Sequence, residues 1–528
     1  MSKFKNIVSI FAGHDANITF YNPSQNEYHI IELERLIRKR YFRLHVDNTG
    51  IEIENILLKA REIAEKYWNI ENDYEAVLLG SDGWIKPKEI IQRVFNTKKI
   101  KTVAKHHESH AASAFYQSNF EEALIISYDG GGDDGFFNIY KANKSKNRIK
   151  RIETIASDFG GGYLLCASLI REVAEKSRHQ LALSGKMMGI CAYGNPQKEL
   201  IKYFKEFFFD RNYKKLSLST GLNLKNIENP WQDPLNNWTF EGQTGFNIAA
   251  TAQAAFEECV LDILNKFDSK ERLIMTGGCA LNVLVNERIK SEFEREIFVP
   301  PNPHDGGLSL GHLLIYNKPK ENLNITYNGI PILDNENFTD YIRKYNAKKI
   351  DKSTIARLLK DGKIIGMLYE GSEVGPRALG NRSIICDPNY PEMKDILNSK
   401  VKFREWFRPF APFCKKEDAS KYFKSKNFEN LEYMGYAPTV KDDYINRLPS
   451  ITHFDNTARL QTVSEDSHSI FYELLTEFGK ICDTNVLLNT SFNIRGMPIL
   501  STIKEALYVL QNTDIDHVII EDYIFNKK

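Results

Sequence analysis

Residues 123–132 read Ala-Leu-Ile-Ile-Ser-Tyr-Asp-Gly-Gly-Gly, an apolar run that ends in a glycine-rich turn carrying Asp129. A short apolar run bounded by such a turn predicts a buried β-strand. Asp129 would then lie at the strand end, where the loops of an α/β sheet collect ligands. The segments at residues 135–140 and 149–155 predict the two strands that follow.

The same order of strand, turn and strand occurs once earlier in the chain. Residues 7–11, 18–21 and 28–31 have strand patterns, and the turn between the first two contains Gly13-His-Asp15. Two such units separated by helical segments predict an α/β fold with an internal duplication, as in actin-like, sugar-kinase-like ATPases. In such folds the paired turns face each other across a nucleotide cleft. The alternative is a coincidence between two unrelated hairpins.

A pair of histidines lies shortly before the second strand unit, in Lys105-His-His-Glu-Ser-His110. If the segment is helical, as the alanines after it indicate, His106 and His110 are four positions apart and share one face. Asp129 and Asp305 would complete a site of two histidines and two carboxylates for a borderline cation such as iron or zinc. The alternative is that the histidine pair is ordinary surface or core polarity.

The composition indicates a large protein without a general attraction to polyanions. A chain of 528 residues favours roughly two to four domains. Its net charge of +1 gives no pull toward nucleic acid or a membrane surface. The seven cysteines form no Cys-x-x-Cys pair, which argues against a disulfide framework or a zinc ribbon. Without an apolar signal region or a run of about 18 apolar residues, we expect a cytoplasmic protein.

A polar, turn-rich stretch at residues 318–345 is the expected domain boundary. We predict a first domain over residues 1–335 and a second over residues 345–528. In the first domain, residues 247–267 have the pattern of an amphipathic helix, and a strand then leads to a Gly277-Gly278 turn. These glycines allow the backbone to approach a ligand at a helix N-terminus, although a tight turn packed against protein has the same pattern.

The second domain contains the densest group of basic residues, in segments punctuated by glycine and proline. Guanidinium groups match planar oxyanions, so arginines that converge on one pocket would suit phosphate or carbamoyl phosphate. RNA binding is the alternative, but these residues are dispersed along the chain. The strand end Asn489-Thr-Ser-Phe-Asn493 adds amide and hydroxyl groups that suit a polar ligand or a structural cap. The basic candidates are Arg377, Arg382, Lys402, Arg404, Arg408 and Arg459.

Taken together, these segments resemble the O-carbamoyltransferase family that includes the nodulation-factor, cephamycin and tobramycin carbamoyltransferases. The resemblance covers essentially the whole chain and rests on several motifs in the same order. Besides the segments quoted above, the motifs are Glu34-Arg35 with Lys39, Gly185-Lys-Met-Met-Gly189, Ala192-Tyr-Gly194, Arg404-Glu-Trp-Phe-Arg-Pro-Phe410 and Arg459-Leu-Gln-Thr-Val463. Any one of these motifs would be weak evidence of the resemblance, whereas all of them in the same order are strong evidence.

The resemblance implies an N-terminal actin-like domain similar to the tRNA threonylcarbamoyl transferase and a C-terminal YrdC-like α/β domain. It implies iron or another divalent metal at His106, His110, Asp129 and Asp305, and it favours His106 over the adjacent His107. By similarity, carbamoyl phosphate and ATP, with magnesium, give carbamoyl adenylate and pyrophosphate in the second domain. The carbamoyl group then passes, in the first domain, to a hydroxyl of a sugar, antibiotic or other natural product.

The roles of the remaining site residues also follow from the resemblance. The catalytic candidates are His14, Asp15 and Lys39, with His14 or Asp15 as a base or a hydrogen-bonding clamp for the acceptor hydroxyl. The residues expected at the nucleotide are Gly131, Gly185, Lys186, Gly277, Gly278 and Asn282. Those expected at carbamoyl phosphate and ATP are the six basic candidates together with Asn489, Ser491 and Asn493.

Two other functions are compatible with the sequence. One is a tRNA-modifying enzyme of the threonylcarbamoyl type, against which the net charge speaks, and the other is a non-catalytic actin-like nucleotide-binding scaffold, against which the arginines speak. We expect no nucleic-acid or membrane partner, and the sequence leaves open whether the protein forms a homo-oligomer. In an insertion at residues 208–243, Trp231, Trp238 and Phe240 are candidates for stacking on a sugar ring, with ordinary packing as the alternative.

Overall fold

The computed structural model describes residues 5–44, 48–80, 88–103, 105–224, 233–236, 238–267 and 270–528. The helices before residue 320 are α1 (Leu33–Ile37), α2 (Gly50–Trp68), α3 (Lys88–Val94), α4 (His106–Gln117), α5 (Phe159–Ser168), α6 (Arg171–Ala174), α7 (Ala182–Ile190), α8 (Lys198–Asp210), α9 (Tyr213–Thr220), α10 (Gly242–Leu264), α11 (Val283–Glu292) and α12 (Leu308–Asn317). Those after it are α13 (Phe338–Tyr345), α14 (Lys352–Lys360), α15 (Met393–Ile396), α16 (Ala419–Tyr422), α17 (Asp442–Ile445), α18 (Ser469–Gly479) and α19 (Ile503–Asn512).

Two five-stranded sheets in the first half of the chain have the same topology. The strands of the first sheet are β1 (Asn6–Phe11), β2 (Asn17–Asn22), β3 (Glu27–Glu32), β4 (Tyr74–Gly80) and β5 (Ile100–Val103). Those of the second are β6 (Glu122–Tyr128), β7 (Phe137–Asn143), β8 (Arg148–Ile155), β9 (Leu273–Thr276) and β10 (Ile297–Phe298). Their orders are β3-β2-β1-β4-β5 and β8-β7-β6-β9-β10, each with three antiparallel strands followed by two parallel ones. This repeat confirms the predicted actin-like duplication.

Two helices fill the space between these sheets. Helix α12 packs on β1, β2 and β4, helix α4 packs on β6 and β9, and the two helices pack on each other. Their backbones come very close, because a Cβ on Gly311 of α12 would lie only 2.1 Å from the carbonyl oxygen of Ser109 in α4. The N-terminal ends of both helices therefore meet at one end of the two sheets.

The second half of the chain forms a mixed eight-stranded sheet, as predicted for the YrdC-like α/β part. Its strands are β11 (Lys348–Lys349), β12 (Ile365–Leu368), β13 (Arg382–Cys386), β14 (Ala411–Lys415), β17 (Gln461–Val463), β18 (Val486–Ser491), β19 (His517–Ile520) and β20 (Tyr523–Asn526), in the order β11-β20-β19-β12-β13-β18-β14-β17. A separate pair consists of β15 (Phe423–Lys424) and β16 (Thr439–Val440). The domain boundary between residues 335 and 345 stays a prediction. Among the described residues, no helix is both long and apolar enough to cross a bilayer.

Buried hydrogen bonds join the two halves. The Asn286 side chain of α11 donates to the carbonyl oxygen of Gly435 at 2.9 Å, and the Tyr436 hydroxyl donates to the carbonyl oxygen of Ile297 at 2.9 Å. Gly375 has a φ of +88°, and a Cβ there would lie 2.1 Å from the carbonyl oxygen of Pro301. The loop that carries Arg377 is thus pressed directly against the first half.

Arg35, at the end of the first strand unit, is the main cation of this junction. Its guanidinium is 2% exposed, pairs with Glu32 at 2.8 Å, and donates to the carbonyl oxygens of Glu373 and Gly375 at 2.6 and 2.5 Å. Burial raises the pKa of Glu32 to about 8, although the charge of Arg35 opposes that rise. Arg35 therefore compensates a buried carboxylate and two buried carbonyls at once.

We predict that Arg35→Ala lowers the free energy of unfolding by about 3–5 kcal/mol, because it leaves Glu32 and the 373–375 carbonyls buried without a partner. Urea unfolding followed by fluorescence measures the change. Arg93→Ala is the matched control, since Arg93 is an exposed partner of Glu54 and its loss costs about 1 kcal/mol or less. Equal losses in the two variants would contradict the role of Arg35 as a buried junction.

Candidate functional site

Four potential metal ligands converge where α4, the end of β6 and the start of α12 meet. One nitrogen or oxygen from each of His106, His110, Asp129 and Asp305 lies within 4.8 Å of the others. The Nε2 of His110 is 3.3 Å from Asp129 Oδ2, 3.3 Å from Asp305 Oδ1 and 3.2 Å from the Nε2 of His106. The structure thus brings together all four residues that the sequence predicted.

The neighbouring histidine is turned away from this cluster. His107 is fully buried, with Nδ1 2.8 Å from the Ser127 hydroxyl and Nε2 3.0 Å from the carbonyl oxygen of Gly135. Both ring nitrogens are therefore occupied by the fold. The preference for His106 over His107 as a ligand agrees with this geometry.

Backbone amides hold the Asp129 carboxylate in place. Gly130 N–H donates to Oδ1 and Gly278 N–H donates to Oδ2, both at 2.6 Å. The loop after Asp129 also fixes α4, since Asp133 and Asp134 accept hydrogen bonds from the amides of His106 and His107 at 2.8 Å. The loop thereby positions ligands from both elements, as the surroundings of a metal site commonly do.

The carboxylates dominate the electrostatics of the cluster. Burial alone would lower the pKa of His110, but hydrogen bonds and charges from Asp129 and Asp305 outweigh it and raise that pKa to about 9. Burial opposes ionisation of Asp129, yet His110 and His106 hold its pKa well below the usual range. The same field favours a cation held between the side chains. Two imidazoles and two carboxylates form a donor set that fits a borderline divalent metal such as iron, zinc or manganese.

The predicted catalytic pair lies directly beside this cluster. His14 Nε2 is 3.4 Å from Asp305 Oδ2, and His14 Nδ1 is 3.1 Å from Asp15 Oδ2. Burial lowers the pKa of His14, but the charges of Asp305 and Asp15 outweigh this effect and raise the pKa to about 10. The His14 side chain is 36% exposed, so a ligand can reach it. Lys39 lies on the exposed segment after α1, and Gly131 lies two residues beyond Asp129.

The predicted nucleotide residues fall in two places. Gly277 has a φ of +88°, and Gly278 contacts Asp129, so this turn borders the cluster of histidines and carboxylates. Asn282 is 7% exposed and exchanges two hydrogen bonds with the Gln253 amide, at 3.0 and 3.1 Å. Gly185 and Lys186 lie instead on α7, where Lys186 pairs with Glu405 of the second half at 2.7 Å.

A cluster of four arginines lies in the second half, opposite these turns. The charges of Arg377, Arg404 and Arg408, after burial, hold the pKa of Arg459 well below its ordinary value. Arg408 is 3.6 Å from Glu405, but none of the described carboxylates lies within ion-pairing distance of Arg377, Arg404 or Arg459. Four guanidinium groups that share one carboxylate among the described residues, itself paired with Lys186 at 2.7 Å, indicate a site for anions.

The other predicted ligands of carbamoyl phosphate and ATP are engaged within the protein. Lys402 donates to the hydroxyl of Ser491 and to the carbonyl oxygens of Ser491 and Asn493. The Asn489 amide donates to Ala378 and Gln461, and Arg382 is fully buried against backbone carbonyls that include Asn381. These side chains shape the turns around the arginines, and their direct contact with a ligand stays a prediction.

Two further residues, which the sequence analysis did not single out, are Arg40 and Tyr41, whose side chains are hydrogen-bonded to each other at 2.9 Å. Burial raises the pKa of Tyr41, and the charge of Arg40 lowers it. Asp15 of the first half also raises this pKa, whereas Arg408 of the second half lowers it. The charge of Asp15 likewise raises the pKa of Arg40, and the charge of Arg40 lowers the pKa values of Lys402 and Arg408. Arg377 links the arginine cluster to the first half, because its guanidinium lies 3.4 Å from the carbonyl oxygen of Leu281 in the Gly277–Asn282 turn. Only the contacts across the two halves, which local sequence patterns do not reveal, identify these residues.

The aromatic side chains predicted to stack on a sugar do not form an open platform. Phe240 is 9% exposed, and the Arg171 guanidinium covers the ring of Trp238 at 4.9 Å. Trp231 lies outside the described residues. The alternative of ordinary packing is therefore the better description of Trp238 and Phe240.

Comparison with known proteins gives matches over both halves. Residues 24–314 match the family model described as carbamoyltransferase N-terminus, and residues 356–527 match the model described as carbamoyltransferase C-terminus. Nodulation protein NolO of Bradyrhizobium diazoefficiens is 34% identical over 80% of this chain and 79% of its own length. Nodulation protein NolNO of Sinorhizobium fredii is 31% identical over 90% of this chain and 70% of its own.

A likeness to a solved structure is also found. Full-length HypF, crystallised in a phosphate- and nucleotide-bound form, aligns with 60% of this chain and 55% of its own at 15% identity. The TM-score of this alignment is 0.34.

We predict that His110→Ala lowers the affinity for a divalent metal by at least about 100-fold, because a ligand and the partner of two carboxylates are lost together. Elemental analysis of purified protein and titration of the metal-stripped protein with Fe²⁺ and Zn²⁺ measure the effect. His107→Asn is the matched control, since His107 is as buried but directs its two ring nitrogens to Ser127 and Gly135 and not to the cluster. Metal loss in the control alone would contradict the assignment.

We also predict that inorganic phosphate raises the unfolding temperature of the wild-type protein and that Arg459→Ala reduces this increase. Removing one of several uncompensated cations weakens anion binding while relieving repulsion, so the anion-free variant should be at least as stable as the wild type. A thermal-shift series in phosphate at constant ionic strength measures both effects. Arg357→Ala, on the exposed part of α14, is the control, and a phosphate response that survives Arg459→Ala in full would contradict the prediction.

Proposed function

Because the chain belongs to the carbamoyltransferase family and is an O-carbamoyltransferase, we propose that it works in two ATP-dependent steps. In the first step, carbamoyl phosphate, water and ATP give carbamoyl adenylate, inorganic phosphate and pyrophosphate at the arginine cluster. In the second, the carbamoyl group passes to a hydroxyl of a sugar or another natural product beside the cluster of His106, His110, Asp129 and Asp305. The acceptor is thus a small molecule.

One observation carries this proposal. The chain holds a cluster of four arginines and a cluster rich in carboxylates, and Arg377 of the first lies 3.4 Å from the carbonyl oxygen of Leu281, in the turn whose Gly278 amide binds Asp129 of the second. This contact supports a site that makes an anionic intermediate next to a site that consumes it. A protein that only bound a nucleotide would have no need of the second site.

The arginine cluster suits the first step because both reactants are polyanions. Loss of phosphate from carbamoyl phosphate to water leaves carbamate, and its oxygen attacks the α-phosphorus of ATP and displaces pyrophosphate. Arg377, Arg404, Arg408 and Arg459 would offset the charge of the two reactants as they approach, which is the main electrostatic cost of the step. Lys402 would act indirectly, by holding the turn of Ser491 and Asn493 beside them.

The second step requires a hydroxyl oxygen to attack the carbamoyl carbon while AMP leaves. The His14 and Asp15 pair lies 3.1 Å apart beside Asp305, so the protonated His14 ring can orient the hydroxyl and the Asp15 carboxylate can receive its proton. The Gly277-Gly278 turn packs tightly against Tyr128 and Asp129, and its two amides donate to Pro303 and Asp129, so it serves the second step by fixing the Asp129 carboxylate. A divalent metal held by His106, His110, Asp129 and Asp305 would supply Lewis acidity for the departing phosphate.

The division of labour between the halves is testable with two variants. We predict that His110→Ala abolishes carbamoyl transfer but retains most of the pyrophosphate release that depends on carbamoyl phosphate, whereas Arg459→Ala lowers pyrophosphate release at least about 100-fold. Pyrophosphate is measured by a coupled assay, carbamoyl adenylate by mass spectrometry, and transfer with a panel of hydroxylated acceptors.

The control variants His107→Asn and Arg357→Ala should keep both activities. Wild-type protein with bound metal that forms no carbamoyl adenylate would overturn the first step. Equal loss of both activities in His110→Ala would overturn the separation of the two steps, provided that the variant remains folded by its unfolding temperature.

A further inference from the structure

The segments that carry the arginines of the cluster leave the eight-stranded sheet at one edge. Strand β14 is parallel to β17 and antiparallel to β18, so the starts of β14 and β17 lie at the same edge as the end of β18. Arg408 lies just before β14, and Arg459 lies just before β17. The loop of residues 369–381, which carries Arg377, joins β12 to β13 at this edge, because β13 is antiparallel to β18. The distances between the guanidinium groups therefore depend on how the loop is fixed to the strands.

Amide side chains from the two strands that flank β14 hold the carbonyl groups that follow Arg377. The Asn489 amide of β18 donates to the carbonyl oxygen of Ala378 at 3.0 Å, and the Gln461 amide of β17 donates to that of Leu379 at 2.8 Å. The two side chains are also joined to each other, because the Asn489 amide donates to Gln461 Oε1 at 2.8 Å. Both are buried, and both hydrogens of the Asn489 amide are used within the protein.

A buried carboxylate holds the backbone amides of the same stretch. Glu373 is fully buried, and its Oε1 accepts from the Leu379 N–H at 2.6 Å and from the Gly380 N–H at 3.2 Å. Gly380 has a φ of +140°, and a Cβ there would lie 2.7 Å from Nε2 of His468, so the loop is packed closely on that side as well. The peptide groups directly after Arg377 are thus held at both their carbonyl and their amide ends.

Hydrogen bonds to the backbone suit a loop that carries a charge for ligand binding. The four guanidinium groups of the cluster share one carboxylate among the described residues, so their repulsion favours displacement of the loop. An ion pair to Arg377 would oppose that displacement but would also reduce the positive field. The neutral amides of Gln461 and Asn489 restrain the backbone instead, and they leave the charge of the guanidinium available to an anion.

From these contacts we infer that Gln461 is a positioning residue of the arginine cluster, which sets the position of Arg377 relative to Arg459. Because β17 begins at Gln461, this residue belongs to the segment that carries Arg459, and its amide holds the loop that carries Arg377. A preorganised group needs this kind of support from the residues behind it, since a small misplacement lowers its effect on a ligand strongly. The inference rests on the proposed first step and gives Gln461 an indirect role in it.

The variant that tests this role is Gln461→Met. It removes both hydrogen bonds of the side chain and keeps its approximate length and volume. The Leu379 carbonyl keeps the Tyr327 hydroxyl as a donor at 3.2 Å, and the Asn489 amide keeps Ala378 as an acceptor at 3.0 Å. Because neither group is left without a partner, we expect the variant to fold with a modest loss of stability.

The measurement is a double-mutant cycle of Gln461→Met with Arg377→Ala in the full chain. Its readouts are the dissociation constant of inorganic phosphate by titration calorimetry and kcat/KM for ATP in pyrophosphate release that depends on carbamoyl phosphate. With Arg377 present, we expect Gln461→Met to weaken phosphate binding about tenfold and to lower kcat/KM at least about tenfold. In Arg377→Ala, each effect of Gln461→Met should shrink to about twofold or less, because the group that it positions is gone. A merely structural role would lower both backgrounds equally.

Asn485→Ala is the matched control. Asn485 precedes β18, about 13 Å along the chain from Asn489, and its amide donates to Asp418 at 2.8 Å. The variant loses an amide hydrogen bond of the same sheet at the end remote from the arginines. It should leave phosphate affinity and kcat/KM unchanged in both backgrounds.

Three outcomes would overturn the inference: Gln461→Met binds phosphate as the wild type does, its effects are equal in the two backgrounds, or the wild type neither binds phosphate nor releases pyrophosphate. Gln461→Asn is a second variant, since it keeps an amide in the interior but is one methylene too short to reach Leu379, and it should give the same coupling to Arg377. Wild type that shows this coupling in phosphate binding but forms no carbamoyl adenylate refutes the proposed function alone. Wild type that forms the adenylate while the effects are additive refutes the inference alone.

Discussion

The candidate metal centre depends on how closely two glycine backbones approach the carboxylate of Asp129. The amides of Gly130 and Gly278 both donate to it at 2.6 Å. A Cβ on Gly278 would lie 2.9 Å from Asp129 Oδ1, and one on Gly160 would lie 2.7 Å from the Gly130 nitrogen. The turns after β6 and β9 and the start of α5 can therefore meet only through glycine. Once the carboxylate is fixed, the histidines one turn apart on α4 have a defined partner.

The cluster of histidines and carboxylates and the cluster of arginines have electrostatic fields of opposite sign. Around Asp129 and Asp305 the carboxylates raise the pKa of His110 to about 9, which is the field of a site that attracts cations. Burial lowers the pKa of Arg459, and the charges of Arg377, Arg404 and Arg408 lower it further, which is the field of a site that attracts anions. An activated carbamoyl phosphoric anhydride is an anion whose leaving group needs a cation, so it is suited to formation at one site and use at the other.

Local pattern predicted much of this arrangement. The alternation of residues 7–31 and 123–155 predicted both strand units, and the spacing of His106 and His110 placed both on one face of a helix. What pattern does not contain is the partner of each side chain. Lys402 and Arg382 have the same sequence signature as Arg459, yet one is saturated by the 491–493 turn and the other by backbone carbonyls.

The junction between the halves bears on how an unstable intermediate would move. Separation of the halves would expose the buried contacts of Arg35 and break the pair of Lys186 and Glu405. Breaking a buried charge pair is costly, because each partner loses its compensation. The junction therefore favours halves that stay in contact, and Arg377 then stays 3.4 Å from the carbonyl oxygen of Leu281 in the Gly277–Asn282 turn. An anion formed at the arginine cluster would thus have the first half beside it without any domain separation, which suits an intermediate that reacts with water.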